Sequence, residues 1–237
     1  MSVSAIGAPA HTLDLRCYFV TGTGADGSIA SVPAIAAQAA AGGAGIIQVR
    51  SKPISVRDLT ALAIDVAAAV HEANPATRVV IDDRVDVAAA LMPDHHIHGV
   101  HIGQDDLDPR LTRQVLGPDA IIGLTTGTLE LVRAANEYAD VIDYIGAGPF
   151  RPTPTKTSGR TPLGLDGYPP LVAASAVPVV AIGDVQRDDA AALAATGVAG
   201  AAIVRAFMNS ADPAALAAAV VRSFDSTPNH GATPAHD

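Results

Sequence analysis

A single-domain α/β fold, a closed (β/α)8 barrel, is what the sequence predicts, and three observations predict it. Short apolar runs alternate with alanine-rich helical stretches about eight times along the chain. Runs such as Ile142 to Gly146 are continuously apolar, as expected of parallel strands covered on both faces. Polar residues gather directly after the runs, at the rim where such a barrel carries its active site. The length of 237 residues suits one barrel domain. An open doubly wound sheet alternates in the same way, so closure is inferred from the count of eight.

Taken in order, the first strand is Leu15 to Thr21, followed by a helix over Ser31 to Ala41 with Pro33 in its first turn. Gly45 to Arg50 and Arg78 to Asp82 are the next strands, with helices over Ser55 to Glu72 and Val85 to Leu91. Ile97 to Ile102 leads to a helix over Pro109 to Leu116, in which Asp108 is the natural cap and Pro109 the first helical residue. Ala120 to Leu124 precedes a helix over Leu129 to Tyr138. The sixth strand, Ile142 to Gly146, opens a long loop stiffened by Pro149, Pro152, Pro154 and Pro162. A helix at about Leu165 to Ala176 closes that unit. Pro178 to Ile182 with Arg187 to Ala195, and Ala199 to Val204 with Pro213 to Phe224, complete the eight. Residues 1 to 13 and 226 to 237 are small, polar and proline-containing, and read as disordered tails around a catalytic domain of residues 14 to 225.

Composition narrows the function. With 49% hydrophobic residues, 3% aromatic and no Trp, the core must be built from Ala, Val, Ile and Leu. Fifteen Lys and Arg against 24 Asp and Glu give a formal charge of −9, which argues against nucleic acid as a partner and makes any anion site local. The single Cys17 allows no intrachain disulfide, and no long apolar run or signal peptide is recognisable. The expectation is a cytoplasmic protein with no membrane partner; homo-oligomerisation is left open.

The candidate chemistry lies at the expected rim. Arg50 and Lys52 lie two apart at a strand end and can point to one side, while Lys156 and Arg160 reach the same rim from the long loop with the hydroxyls of Thr153 and Thr155. Singly these are surface charges; as a set they suit a phosphate ligand. Asp83 and Asp106, at neighbouring strand ends, are candidate Mg2+ ligands, with helix capping by Asp82 or Asp83 as the plainer alternative. His95, His96, His98 and His101 lack zinc-like spacing, so a structural or surface role is expected. Gly22, Gly24 and Gly27 follow a strand without the full dinucleotide or P-loop pattern, and suit a flexible rim loop.

Several stretches, in order, resemble the thiamine-phosphate synthase family. QVRSK (Gln48 to Lys52) is similar to its QxRxK segment, IDDRVDVA (Ile81 to Ala88) to INDRxDxA, and GVHIGQDDL (Gly99 to Leu107) to GxHxGQxDL. GLTTGT resembles its GxST turn, DYIGAGPFRPTPTK (Asp143 to Lys156) its DYxGxGPxxPTxTK, and VPVVAIGDV its xPxxAIGGI, over about Tyr18 to Phe207. The resemblance implies a TIM barrel that joins hydroxymethylpyrimidine diphosphate to a thiazole phosphate with Mg2+, releasing pyrophosphate. It implies that Gln48, Arg50, Lys52, Asp82, Thr125 and Lys156 contact the pyrimidine diphosphate, with Arg50, Lys52 and Lys156 driving catalysis. Asp83 and Asp106 would bind the metal, and Thr153, Thr155, Gly183, Asp184, Val204 and Arg205 would surround the thiazole phosphate.

The chain departs from that pattern at four positions: Asp82 stands for Asn, Thr125 for Ser, Asp184 for the second Gly of a pair, and Arg205 for a common Ser. Thr125 keeps a hydroxyl, whereas Asp82 and Asp184 add carboxylates beside anions. Two other functions fit parts of the pattern. A thiazole tautomerase resembles the family but uses a His near the turn where this chain has Gly127, and a non-catalytic phosphate-ligand sensor would keep the barrel without turnover.

Overall fold

The computed structural model describes residues 13–24, 27–152 and 159–226. Expectations for residues 1–12 and 227–237, and for Thr153, Thr155 and Lys156, therefore fall on residues outside the described ones.

Eight parallel strands close on themselves in chain order. They are β1 (Cys17–Val20), β2 (Ile46–Val49), β3 (Arg78–Asp82), β4 (Gly99–Ile102), β5 (Ile121–Thr126), β6 (Tyr144–Ala147), β7 (Val179–Ile182) and β8 (Gly200–Ile203). Closure is made by β1 pairing with β8, with Cys17 opposite Ala201 and Phe19 opposite Ile203. Around them lie α1 (Val32–Ala41), α2 (Val56–Ala73), α3 (Val85–Leu91), α4 (Pro109–Leu116), α5 (Leu129–Ala135), α6 (Tyr168–Ala174), α7 (Ala190–Ala195), α8 (Arg205–Met208) and α9 (Pro213–Asp225).

The period of two along each strand sorts side chains into two cores. Cys17, Phe19, Ile47, Val49, Val79, Ile81, Ile145 and Ala147 face outward and pack under the helices in one large cluster. Tyr18, Val20, Ile46, Val80, Ile121, Tyr144, Val180 and Ala202 form a second, smaller cluster inside the barrel. Gly123 makes room there: a Cβ at this position would overlap the Tyr144 ring and the His101 imidazole. Tyr144 and His101 can thus enter the barrel beside Tyr18 and the aliphatic side chains.

The sequence boundaries shift for local reasons. The predicted helix from Leu129 to Tyr138 is α5 followed by a 3-10 turn over Asn136–Tyr138, and the one from Arg187 is a 3-10 turn over Arg187–Asp189 leading into α7. α6 starts three residues later than expected because Pro169 and Pro170 lack N–H groups and can be accommodated only in a first turn. α8 was not anticipated, since four residues carry no periodic signal. Capping of α4 by Asp108 is as expected, its carboxylate accepting from Arg110 N–H and Leu111 N–H.

Candidate active site

A cavity of about 510 Å3 opens at the C-terminal ends of the strands. Strand parity fills it: Gln48, Asp82, His101, Thr125, Tyr144, Ile182 and Val204 all line it. Each continues the inward-facing parity of its strand, so one periodicity delivers side chains from seven strands, β2 to β8, to one mouth.

On the β2–β4 side the charges interlock. Lys52 Nζ lies 3.1 Å from Asp82 Oδ2 and contacts Asp83 Oδ2, while Arg50 Nε is 3.5 Å from Asp82 Oδ2. The Asp82 side chain is only 10% exposed, and its Oδ2 accepts no hydrogen bond of good geometry among the described residues. Burial pushes the Asp82 carboxyl up from its ordinary range, and the Asp83 charge adds to the rise, so Lys52 and Arg50 neutralise it incompletely. Burial works against the Lys52 ammonium, but the Asp83 and Asp82 carboxylates outweigh it and raise its pKa. The expected free cationic pair is thus a paired one. Neither Asp82 nor Asp83 caps α3, whose cap position is Arg84 without a side-chain bond.

Asp83 has φ 59°, in the left-handed region that costs a side chain free energy and recurs at functional sites. Across from it, Asp106 Oδ2 accepts the Gly103 N–H at 2.7 Å. Burial raises the Asp106 pKa, and the neighbouring Asp83 carboxylate raises it further against the Gly103 bond. Asp83, paired with Lys52, and Asp106 therefore stand close enough to feel each other's charge. Among the described residues no group of three or more His, Cys, Asp or Glu could hold a metal by itself.

Beneath these charges runs a polar chain that composition and spacing did not reveal. Gln48 Nε2 donates to Tyr18 OH at 3.0 Å, the Tyr18 and Tyr144 hydroxyls are 2.7 Å apart, and His101 Nδ1 lies 3.0 Å from Tyr144 OH. His101 Nε2 is 3.0 Å from Thr125 Oγ1. Burial pushes both phenols above their ordinary range, keeping them protonated. The arrangement that leaves no buried donor idle runs Gln48 to Tyr18 to Tyr144 to His101 Nδ1, with Nε2–H donating to Thr125. His101 is thus a cavity residue and not only a structural one. The signal available was parity with Gly99 on one side and the compensating Gly123 and Gly146 on the neighbouring strands.

The opposite side is made by the ends of β6 to β8. Gly183 (φ 112°) packs so closely on Pro149 that a side chain would overlap its backbone. Asp184, Val204 and Arg205 line the cavity with it, and Arg160 reaches in, its Nη1 donating to Thr126 O at 2.6 Å.

A closed parallel barrel whose C-terminal mouth combines cations, under-neutralised carboxylates and a polar floor defines a barrel enzyme acting on small anionic molecules. The comparisons make this specific: the family model described as thiamine monophosphate synthase matches residues 17–207, and the chain belongs to that family. It is 75% identical over 213 residues to a thiamine-phosphate synthase of Corynebacterium jeikeium, covering 90% of this chain and 96% of that one. A thiamine-phosphate synthase of Corynebacterium efficiens is 59% identical over 217 residues, with 90% and 96% covered. Among solved structures, thiamine phosphate pyrophosphorylase from Pyrococcus furiosus superposes with a TM-score of 0.73 at 27% identity, covering 89% of this chain and 96% of that one.

Proposed function

We propose that the chain condenses 4-amino-2-methyl-5-hydroxymethylpyrimidine diphosphate with 4-methyl-5-(2-phosphoethyl)thiazole, giving thiamine phosphate and pyrophosphate as a transferase. The observation that carries this is the single cavity shared by the β2–β4 charges, the polar floor and the β6–β8 wall. Two phosphorylated molecules can meet there with their reacting atoms between the two walls.

The floor suits the aminopyrimidine, because Gln48, His101 and Tyr144 offer fixed polar atoms in an otherwise apolar barrel. The diphosphate then lies toward Arg50, Lys52 and Thr125, with Lys156 from the long loop completing the set. Asp83 and Asp106 fit a hard divalent cation: two neighbouring carboxylates, of which Asp106 is held above its ordinary pKa by burial and by Asp83, would hold Mg2+ while leaving room for the diphosphate and water. Bound Mg2+ would stabilise negative charge on the departing diphosphate. The thiazole phosphate takes the other wall, lined by Gly183, Asp184, Val204 and Arg205, and the resemblance assigns Thr153 and Thr155 to the same phosphate.

The step is a dissociative substitution. The methylene carbon–oxygen bond breaks, pyrophosphate leaves with the electron pair, the electron-rich pyrimidine carries the resulting cation, and the thiazole nitrogen donates its lone pair to the methylene carbon. No side chain needs to act as nucleophile. Arg50, Lys52 and Lys156 stabilise the leaving group, each by about 2 to 4 kcal/mol on the scale of other preorganised electrostatic groups. His101, held by Tyr144, keeps the Thr125 hydroxyl free to donate into the cavity. Asp82 sits beside this diphosphate and needs the cations around it to offset its charge. The proposal places the reaction in the cytoplasm, on small molecules, without nucleic acid or membrane. No helix among the described residues is long and apolar enough to cross a membrane.

Incubation with both substrates and Mg2+, followed by quantifying thiamine phosphate and pyrophosphate, tests the assignment. Equal amounts of the two products are expected; isomerised thiazole with no pyrophosphate, or binding without turnover, would overturn it.

A further inference from the structure

The end of β7 carries a charged cluster separate from the carboxylates at β3 and β4. Asp184 has φ 58°, in the left-handed region, directly after Gly183. Its backbone oxygen accepts from Arg151 Nη1 at 3.0 Å, and Arg151 also grips both carboxylate oxygens of Asp189. Asp189 is fixed in turn by the Gln186 N–H at 2.8 Å. The Asp184 main chain is therefore clamped and its carboxylate is held at the mouth. There Oδ1 accepts from Gln186 Nε2 at 3.0 Å and from Arg205 Nη2.

The Asp184 side chain is 18% exposed and that of Arg205 44%, so one member of the pair is largely withdrawn from water and the other reaches toward it. Both line the cavity. A phosphate at this wall meets a carboxylate that cannot turn away and a guanidinium that has committed one nitrogen to it. A guanidinium has five N–H donors in a planar fork, enough to hold a carboxylate on one edge and a phosphate on another. Alone, Asp184 would repel the phosphate through a medium less screening than water.

We propose that Arg205 binds the phosphate of the thiazole substrate directly and that its contribution is coupled to Asp184, which orients the guanidinium and would oppose the phosphate without it. This rests on the reading that the β7–β8 wall takes the thiazole phosphate. Asp184 and Arg205, two of the four positions at which the chain departs from the family pattern, thus act as one unit.

A double-mutant cycle tests the coupling. Arg205→Ser should raise KM for the thiazole phosphate on the order of a hundredfold, because a carboxylate is left unpaired beside an anion. In an Asp184→Asn background the same substitution should cost on the order of tenfold or less. KM for the pyrimidine diphosphate should stay constant throughout, showing that the barrel is intact, and Arg205→Lys should restore most of the loss. Calorimetry with the thiazole alcohol, which lacks the phosphate, should show no Arg205 penalty. Equal penalties in both backgrounds, or a penalty with the alcohol as large as with the phosphate, would overturn the pair while leaving the synthase reading in place. A wild-type protein that forms no thiamine phosphate would overturn both.

Discussion

Two buried carboxylates, Asp143 at the bottom of the barrel and Asp82 at its mouth, have opposite fates. Asp143 precedes β6 and meets Arg113 at 3.1 Å, with both side chains 5% exposed. Its Oδ2 also accepts the Ile122 N–H at 2.7 Å, and Arg113 donates to the backbone oxygens of Gly117, Pro118, Ala120 and Val141. Every charge there is consumed in tying α4 to the starts of β5 and β6. Asp82, last residue of β3, has two cations near it but no well-formed hydrogen bond to Oδ2, and a second carboxylate beside it. The difference separates the two sites: the charge of Asp143 at the N-terminal face completes the structure, whereas that of Asp82 at the C-terminal face is left incompletely neutralised beside the cavity.

The sharpest way to break the comparison is at the bottom. Arg113→Ala strands Asp143 and should destabilise the protein by about 3 to 5 kcal/mol, lowering Tm by about 10 °C. Substrate KM values measured below the transition should not move; a KM change would mean that the two faces are not independent. At the mouth the pattern reverses. Asp106→Asn should lower kcat/KM by about a hundredfold or more at fixed Mg2+, with little change in unfolding midpoint in denaturant titration. Lys156→Ala should lower turnover by roughly a hundredfold, read as steady-state pyrophosphate release; wild-type turnover would remove the long loop from the catalytic set.

The smallest effect concerns Asp82 and its sign. A carboxyl whose pKa is raised in the folded state stabilises the fold fully below its unfolded pKa, and that contribution is lost as pH rises through the folded value. Asp82 is such a group, raised chiefly by burial. Asp82→Asn should therefore stabilise the ligand-free protein by about 1 kcal/mol at neutral pH. Chemical denaturation at several pH values should show this gain shrinking as pH falls through the raised carboxylate range. A gain that persists in acid would assign it to packing.

The sequence carried the fold because alternation and strand count are local signals that the chain repeats eight times. The same regularity made closure only an inference, since the β1–β8 pairing joins residues far apart in the chain. At the site, the motif residues Gln48, Arg50, Asp82, Asp83, Asp106 and Thr125 do line one cavity. The ion pairing of Lys52 with two aspartates was not legible, because it depends on side chains of separate strands meeting in space. Tyr18 and Tyr144 were missed for a related reason, since tyrosine in an apolar strand reads as core, and the space for the Tyr144 and His101 rings shows only in the neighbouring Gly123 and Gly146.

The central claim, that the mouth holds incompletely neutralised carboxylates for a metal-bound diphosphate, is tested most directly by calorimetric titration of the wild-type protein with pyrophosphate, with and without Mg2+. The account predicts tight binding with Mg2+ that weakens at least tenfold without it or in Asp83→Asn, while Arg113→Lys binds as wild type does. Pyrophosphate binding equally well without Mg2+ in both wild-type and Asp83→Asn protein would contradict it.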